Sequence, residues 1–142
     1  MLHDCGTYIS MSNAAECSYN IIMSTEIIGL SHMEREIVAS TVLYNTIEIP
    51  RADDLSRKLN EQAYLTVCKL AAILKISNVL DRSHKQKIQN ITASLKDRIL
   101  WITVDAAEDI TLEYGLFDAK ALYFEEVFCI KSKLKIRKSY SE

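Results

Sequence analysis

The chain has 142 residues, of which 49% are hydrophobic and 25% charged, with three glycines and one proline. This is roughly one domain's length with enough apolar surface for a core, and it excludes a flexible linker or low-complexity tract. The net charge of −2 excludes electrostatic capture of nucleic acid by the molecule as a whole, so an anion site must be a local patch.

In chain order, the first segment reads as helical. Leu2, Cys5 and Ile9 share one face of a short opening helix. A second helix, about Ala14 to Ser24, carries Tyr19, Ile22 and Met23. Gly29 punctuates, and Ser31-His32-Met33-Glu34 is an S-x-x-E capping box opening a third helix. That helix should bury Ile37, Val38, Thr41, Val42 and Tyr44 and stop before Pro50. A short helix around Ala52 to Lys58 follows. The strongest helical signal runs from Glu61 to Ser83, where Ala63, Val67, Leu70, Ala71 and Leu74 recur at spacings of three and four.

The pattern then changes. Ile91 to Leu95, Ile99 to Asp105 and Ile110 to Tyr114 alternate and are rich in β-branched residues, which predicts three strands. Lys96-Asp97-Arg98 is the turn between the first two. Asp118 to Phe128 reads as an amphipathic helix and Ile130 to Lys138 as a last strand. The fold class is therefore α+β: a helical domain over residues 1–88 and a small antiparallel-sheet β-β-β-α-β domain over residues 89–142. The absence of an 18-residue apolar run and of a basic-then-apolar N-terminus predicts neither membrane span nor signal peptide. Cys5, Cys17, Cys68 and Cys129 form no C-x-x-C pair, which suits reduced core thiols in a cytoplasmic protein.

Two features carry chemistry. His3-Asp4, adjacent on a helix, can bind one divalent metal that activates water and polarises a phosphate. The bland alternative is a partly buried, hydrogen-bonded histidine. Lys131, Lys133, Lys135 and Arg137 alternate with apolar or small residues, so a strand places all four on one face. Arg82, His84, Lys85 and Lys87 form a second basic cluster past the long helix. Together they read as a polyanion track, or else as an edge strand kept from aggregating by its lysines. Tyr64, Tyr114 and Tyr123 read as core or rim, with no RNA-binding motif beside them.

Leu2-His3-Asp4-Cys5-Gly6, Ser18-Tyr19, the Gly29 to Glu36 stretch and Leu80-Asp81-Arg82-Ser83-His84 resemble, in one order, the C-terminal half of the Ppx/GppA exopolyphosphatases and guanosine pentaphosphate phosphohydrolases. That family reads approximately L-H-D-I-G, S-Y-Y-L-I, G-F-S-H-E-E-R-E, Y-H-R and L-A-D-A-L-D-R-S-H. Its later L-F-E-E-V-F resembles Leu122 to Phe128, so the resemblance covers nearly the whole chain. It implies an HD-like bundle for the helical domain. Yet Ala14-Ala15 stand where the family has a His-His pair, Tyr44-Asn45 where it has Tyr-His, and Asn78 where it has an aspartate. Alanine and neutral asparagine are poor divalent-metal ligands. The expectation is no catalytic residue and no metal, with His3 and Asp4 as vestiges.

The resemblance also implies that phosphate hydrolysis occurs in N-terminal actin-like domains with glycine-rich phosphate loops. Gly6, Gly29 and Gly115 form no G-x-G. The chain is thus expected to be a non-catalytic piece of a longer hydrolase, or a short independent protein, with no cofactor of its own; a divalent metal, Mg, would serve the parent. Expected partners are polyphosphate or guanosine pentaphosphate through the parent enzyme, its own N-terminal domains and a second copy, with Trp101 near an open sheet edge; neither membrane nor nucleic acid is expected. The alternatives are a small HD-type metal-dependent phosphohydrolase and a free-standing regulatory or structural protein.

Overall fold

The structure is a computed structural model describing residues 2–9, 11–55, 59–81, 88–106 and 109–138. A 3₁₀ helix over Leu2–Tyr8 is followed by α1 (Ala14–Ser24), α2 (His32–Thr46), α3 (Ala52–Leu55) and α4 (Glu61–Leu80). Then come β1 (Ile88–Lys96), β2 (Ile99–Ala106), α5 (Thr111–Phe128) and β3 (Lys131–Lys138). The arrangement is α+β, as the hydrophobic patterning predicts. Two compact units, Met1–Ala71 and Ala72–Glu142, divide within α4, while the change from helix to strand comes later, between Leu80 and Ile88. The expected C-terminal ends of α3 (Lys58) and α4 (Ser83) lie outside the described residues.

In the first unit, α2 begins where the capping box predicts. Ser31 Oγ accepts the Glu34 amide at 3.3 Å, and Glu34 Oε2 accepts the Ser31 amide at 2.8 Å. The two Ser31 bonds hold the exposed Glu34 carboxyl below its ordinary value, because they favour the charged form. Ile22, Ala39 and Val42 form one small core, with Tyr19, Met23 and Val38 against it. Tyr44, Leu55, Leu59, Ala63 and Val67 form another. The α4 helix is long and apolar enough to cross a membrane by length and composition. Ala63, Val67, Ala71, Ala72, Ile76 and Val79, however, are buried by the chain itself. Leu70, expected on the buried stripe, is exposed.

The second unit corrects two expectations. The segment from Ile110 to Tyr114 is not a strand but the beginning of α5, so the tail is β-β-α-β. The sheet is mixed, in the order β1-β2-β3, with β1 antiparallel and β3 parallel to β2. The second correction follows from the first. An 18-residue helix rises about 27 Å, and an eight-residue strand spans about 26 Å. One pass of α5 thus returns the chain to the end where β2 began, and β3 must run parallel. Asp97 and Arg98, with φ of 52° and 59°, make the tight β1–β2 turn, where left-handed backbone matches the twist of the strands. Phe117, Phe124, Ile76, Val79, Ile102 and Val104 lie at the core of this unit. Of the cysteines, Cys5, Cys17 and Cys68 are half-buried, but Cys129 is exposed at the left-handed C-cap of α5.

Candidate functional site

The motif residues of the first unit are used to build it. Gly6, from the L-H-D-C-G stretch, is buried against α1, and its N–H donates to Ser18 Oγ at 2.8 Å. Ser18 is fully buried. A methyl group at Gly6 would overlap the Ala14 carbonyl oxygen and come within 2.6 Å of Ser18 N. The next residue, Tyr19, donates its hydroxyl to Glu36 Oε1 at 2.5 Å, joining α1 to the last residue of the Gly29 to Glu36 motif. Arg35 in turn donates to the Thr25 carbonyl at 3.0 Å. The motif residues that carry the resemblance in this unit therefore largely make contacts between the opening 3₁₀ helix, α1 and α2.

Glu36 is the residue the sequence reading overlooks. It is only 6% exposed, although a charge on a helix ordinarily reads as solvated. Its pairing with Tyr19, 17 positions away, leaves no local periodic signal. Glu16, Tyr19, Asn20, Glu36, Ser40 and Tyr44 line a cavity of about 210 Å³. Burial, and then the Glu36 carboxylate, raise the Tyr19 hydroxyl far above its ordinary value of 10.0. Tyr44 is raised for the same two reasons. A phenolate there would be desolvated and would face a carboxylate.

The consequence is alkaline lability. The folded state keeps Tyr19 protonated where the unfolded chain has lost that proton, so its stabilisation is full below pH 10.0 and is lost as pH rises above it. Urea midpoints should hold up to about pH 10 and fall above it, and Tyr19→Phe should flatten that fall. An unchanged slope in the variant would exclude Tyr19 as its source.

Of the positions that the resemblance assigns to metal ligands, Ala14, Ala15, Asn45 and Asn78 offer no imidazole or carboxylate donor. Asp4 lies on the opening 3₁₀ helix, and Ala14 and Ala15 open α1, which packs against it. His3 is on the same 3₁₀ helix, but its side chain lies outside the described portion. Asn45 is half-buried at the end of α2, and Asn78, also half-buried, belongs to the second unit. Methyl groups supply no ligand, and among the described residues no three His, Cys, Asp or Glu side chains cluster closely enough to hold an ion.

The basic strand behaves differently. Lys131, Lys133, Lys135 and Arg137 are all exposed on β3. The register places them beside Ile99, Trp101, Thr103 and Asp105 of β2. The other face of β2, carrying Ile102, Val104 and Ala106, is buried in the core. Lys133 Nζ lies 5.5 Å from the centroid of the Trp101 ring. Arg137 Nε is 3.5 Å from Asp105 Oδ1, an ion pair whose arginine is 71% exposed and so contributes little to stability. Arg82, His84, Lys85 and Lys87 lie outside the described residues.

Comparison with models of known protein families matches residues 1–125 to Ppx/GppA phosphatase, domain III. A comparison with curated proteins found no significant match. With the match spanning most of the 142 residues, the chain belongs to the Ppx/GppA phosphatase family, through its domain III.

Proposed function

We propose that this chain is a non-catalytic C-terminal region of an exopolyphosphatase or guanosine pentaphosphatase, binding the polyphosphate chain and providing a dimerisation face. The active site of such a hydrolase would lie in N-terminal domains. The observation that carries the reading is the row of exposed cations on β3, Lys131, Lys133, Lys135 and Arg137. Cations two residues apart on a strand repeat every ~6.6 Å, so several can engage one repeating anion at once. Family membership makes a phosphate polymer the natural anion.

The dimerisation face is supported by apolar surface in the second unit. Ile73, Ile91 and Leu95 are exposed, and a groove of about 380 Å³ between Leu80, Ala93, Leu100 and Phe128 is lined by Ile73 and Ile91. Apolar patches of this kind mark surfaces that meet other surfaces.

Calorimetric titration with inorganic polyphosphate tests the reading. Affinity should fall steeply between about 50 and 200 mM salt, as counterion release requires. Lys133→Glu combined with Lys135→Glu should weaken binding at least about tenfold, the scale of one lost charge-assisted bond. Both side chains are exposed, so the fold should be unaffected. Salt-independent binding, or equal affinity in the double variant, would sink the proposal.

A further inference from the structure

We propose that the open face of the β1-β2-β3 sheet binds single-stranded nucleic acid, with Trp101 stacking a base and the β3 cations holding the phosphates. The inference does not depend on polyphosphate being a ligand.

It starts from what the register assembles. On the face away from the core, Trp101 has Ser94 of β1 on one side and Lys133 of β3 on the other. One position along, Thr103 lies between Thr92 and Lys135. Lys96 pairs with Ile99 at one end, and Asp105 with Arg137 at the other. The face thus collects five cations (Lys96, Lys131, Lys133, Lys135 and Arg137) against the single carboxylate of Asp105, which Arg137 already engages. The net charge of −2 and the lack of an RNA-binding motif argue against nucleic acid at the level of sequence. The strand register concentrates positive charge locally, where the average hides it.

The occupant is chosen by what the cations surround. A bare phosphate polymer offers charge to the cations and acceptor oxygens to the hydroxyls of Thr92, Ser94 and Thr103, but has no planar group for the indole. A single-stranded nucleic acid uses all three: bases stack on the ring, base edges or sugars meet the hydroxyls, and phosphates run along β3. Lys133 over the Trp101 ring is no obstacle. An exposed cation–π contact is weaker than base stacking, and a flexible lysine released from the ring gains a phosphate. A duplex keeps its bases stacked internally and cannot offer them to a flat sheet face.

Trp101 is the chain's one tryptophan, so its fluorescence reports directly on stacking. The full chain is titrated with a single-stranded 12-nucleotide RNA, a hairpin duplex of the same composition, and inorganic polyphosphate of matched charge. The single strand should quench Trp101 and bind more weakly as salt rises; duplex and polyphosphate should leave the emission largely unchanged. Measured by calorimetric titration, because the fluorophore is gone, Trp101→Ala should weaken single-strand binding about ten- to a hundredfold while Trp101→Phe retains most of it. Because Trp101→Ala removes a half-buried ring, Lys135→Glu, at an exposed position, gives a second measure and should also lower single-strand affinity. Polyphosphate binding with no single-strand quenching overturns this inference and leaves the proposed function standing. Single-strand quenching without polyphosphate binding does the reverse. Single-strand affinity unchanged in Trp101→Ala also overturns it, because phosphate contacts alone would then account for binding.

Discussion

Gly6→Ala should unfold the docking of the opening 3₁₀ helix onto α1, at a cost of about 3–5 kcal/mol. The added methyl overlaps the Ala14 carbonyl oxygen and meets Ser18 N at 2.6 Å and Ser18 Oγ at 2.7 Å. Two of these three atoms belong to the backbone of α1, so no rotamer change relieves the clash. The 2.8 Å bond from Gly6 N–H to Ser18 Oγ is lost as the segments separate, leaving a buried donor and a buried hydroxyl without each other. Gly6 is not a case of left-handed backbone, since Gly29 is the glycine with positive φ among the described residues. The requirement is for space alone. Ser18→Ala removes the bond without the clash and should cost less, about 1–3 kcal/mol. Amide hydrogen exchange along α1 reads both: protection should collapse in Gly6→Ala and weaken in Ser18→Ala. Native protection in Gly6→Ala would show that the close approach does not hold α1 in place.

The same residues explain why a motif can be read correctly while its structural role goes unread. Gly6, Ser18, Tyr19, Ser31, Glu34 and Glu36 all fall in the stretches that carry the family resemblance, and each is committed to a contact within the first unit. The capping box was legible because both its bonds are local, three residues apart. Tyr19–Glu36 was not, because the partners sit on different helices and each looks like an ordinary surface residue in isolation. The basic row was legible from alternation, which needs only the strand period. Its neighbour Trp101 was not, because sequence does not say which β2 residue lies opposite which lysine; that is set by register, and here by the parallel return through α5.

The start of α5 was missed for a reason that can be tested. Ile110, Leu112 and Tyr114 alternate like a strand, and Gly115 looks like a breaker. In the structure the buried positions are instead Ile110, Glu113, Phe117 and Phe124, with Ala121 half-buried, at spacings of three and four. A fully buried Glu113 interrupts the apolar stripe and disguises the helix. Phe117, which the sequence reading leaves between strand and helix, is 1% exposed at the centre of the second core. Phe117→Ala should therefore cost about 3–5 kcal/mol, the transfer of the ring plus the cavity it leaves. Gly115 is its counterpart: exposed, in mid-helix, with nothing within 4 Å of an added Cβ. Gly115→Ala should stabilise by about 0.5–1 kcal/mol, because alanine loses less backbone freedom in a helix. Urea unfolding followed by Trp101 fluorescence on β2 reads both changes in the unit where they occur. The two signs together distinguish the alternatives. A turn glycine would make Gly115→Ala destabilising and an exposed connector would make Phe117→Ala nearly silent, whereas one continuous helix from Thr111 requires a large loss at one position and a small gain two residues before it.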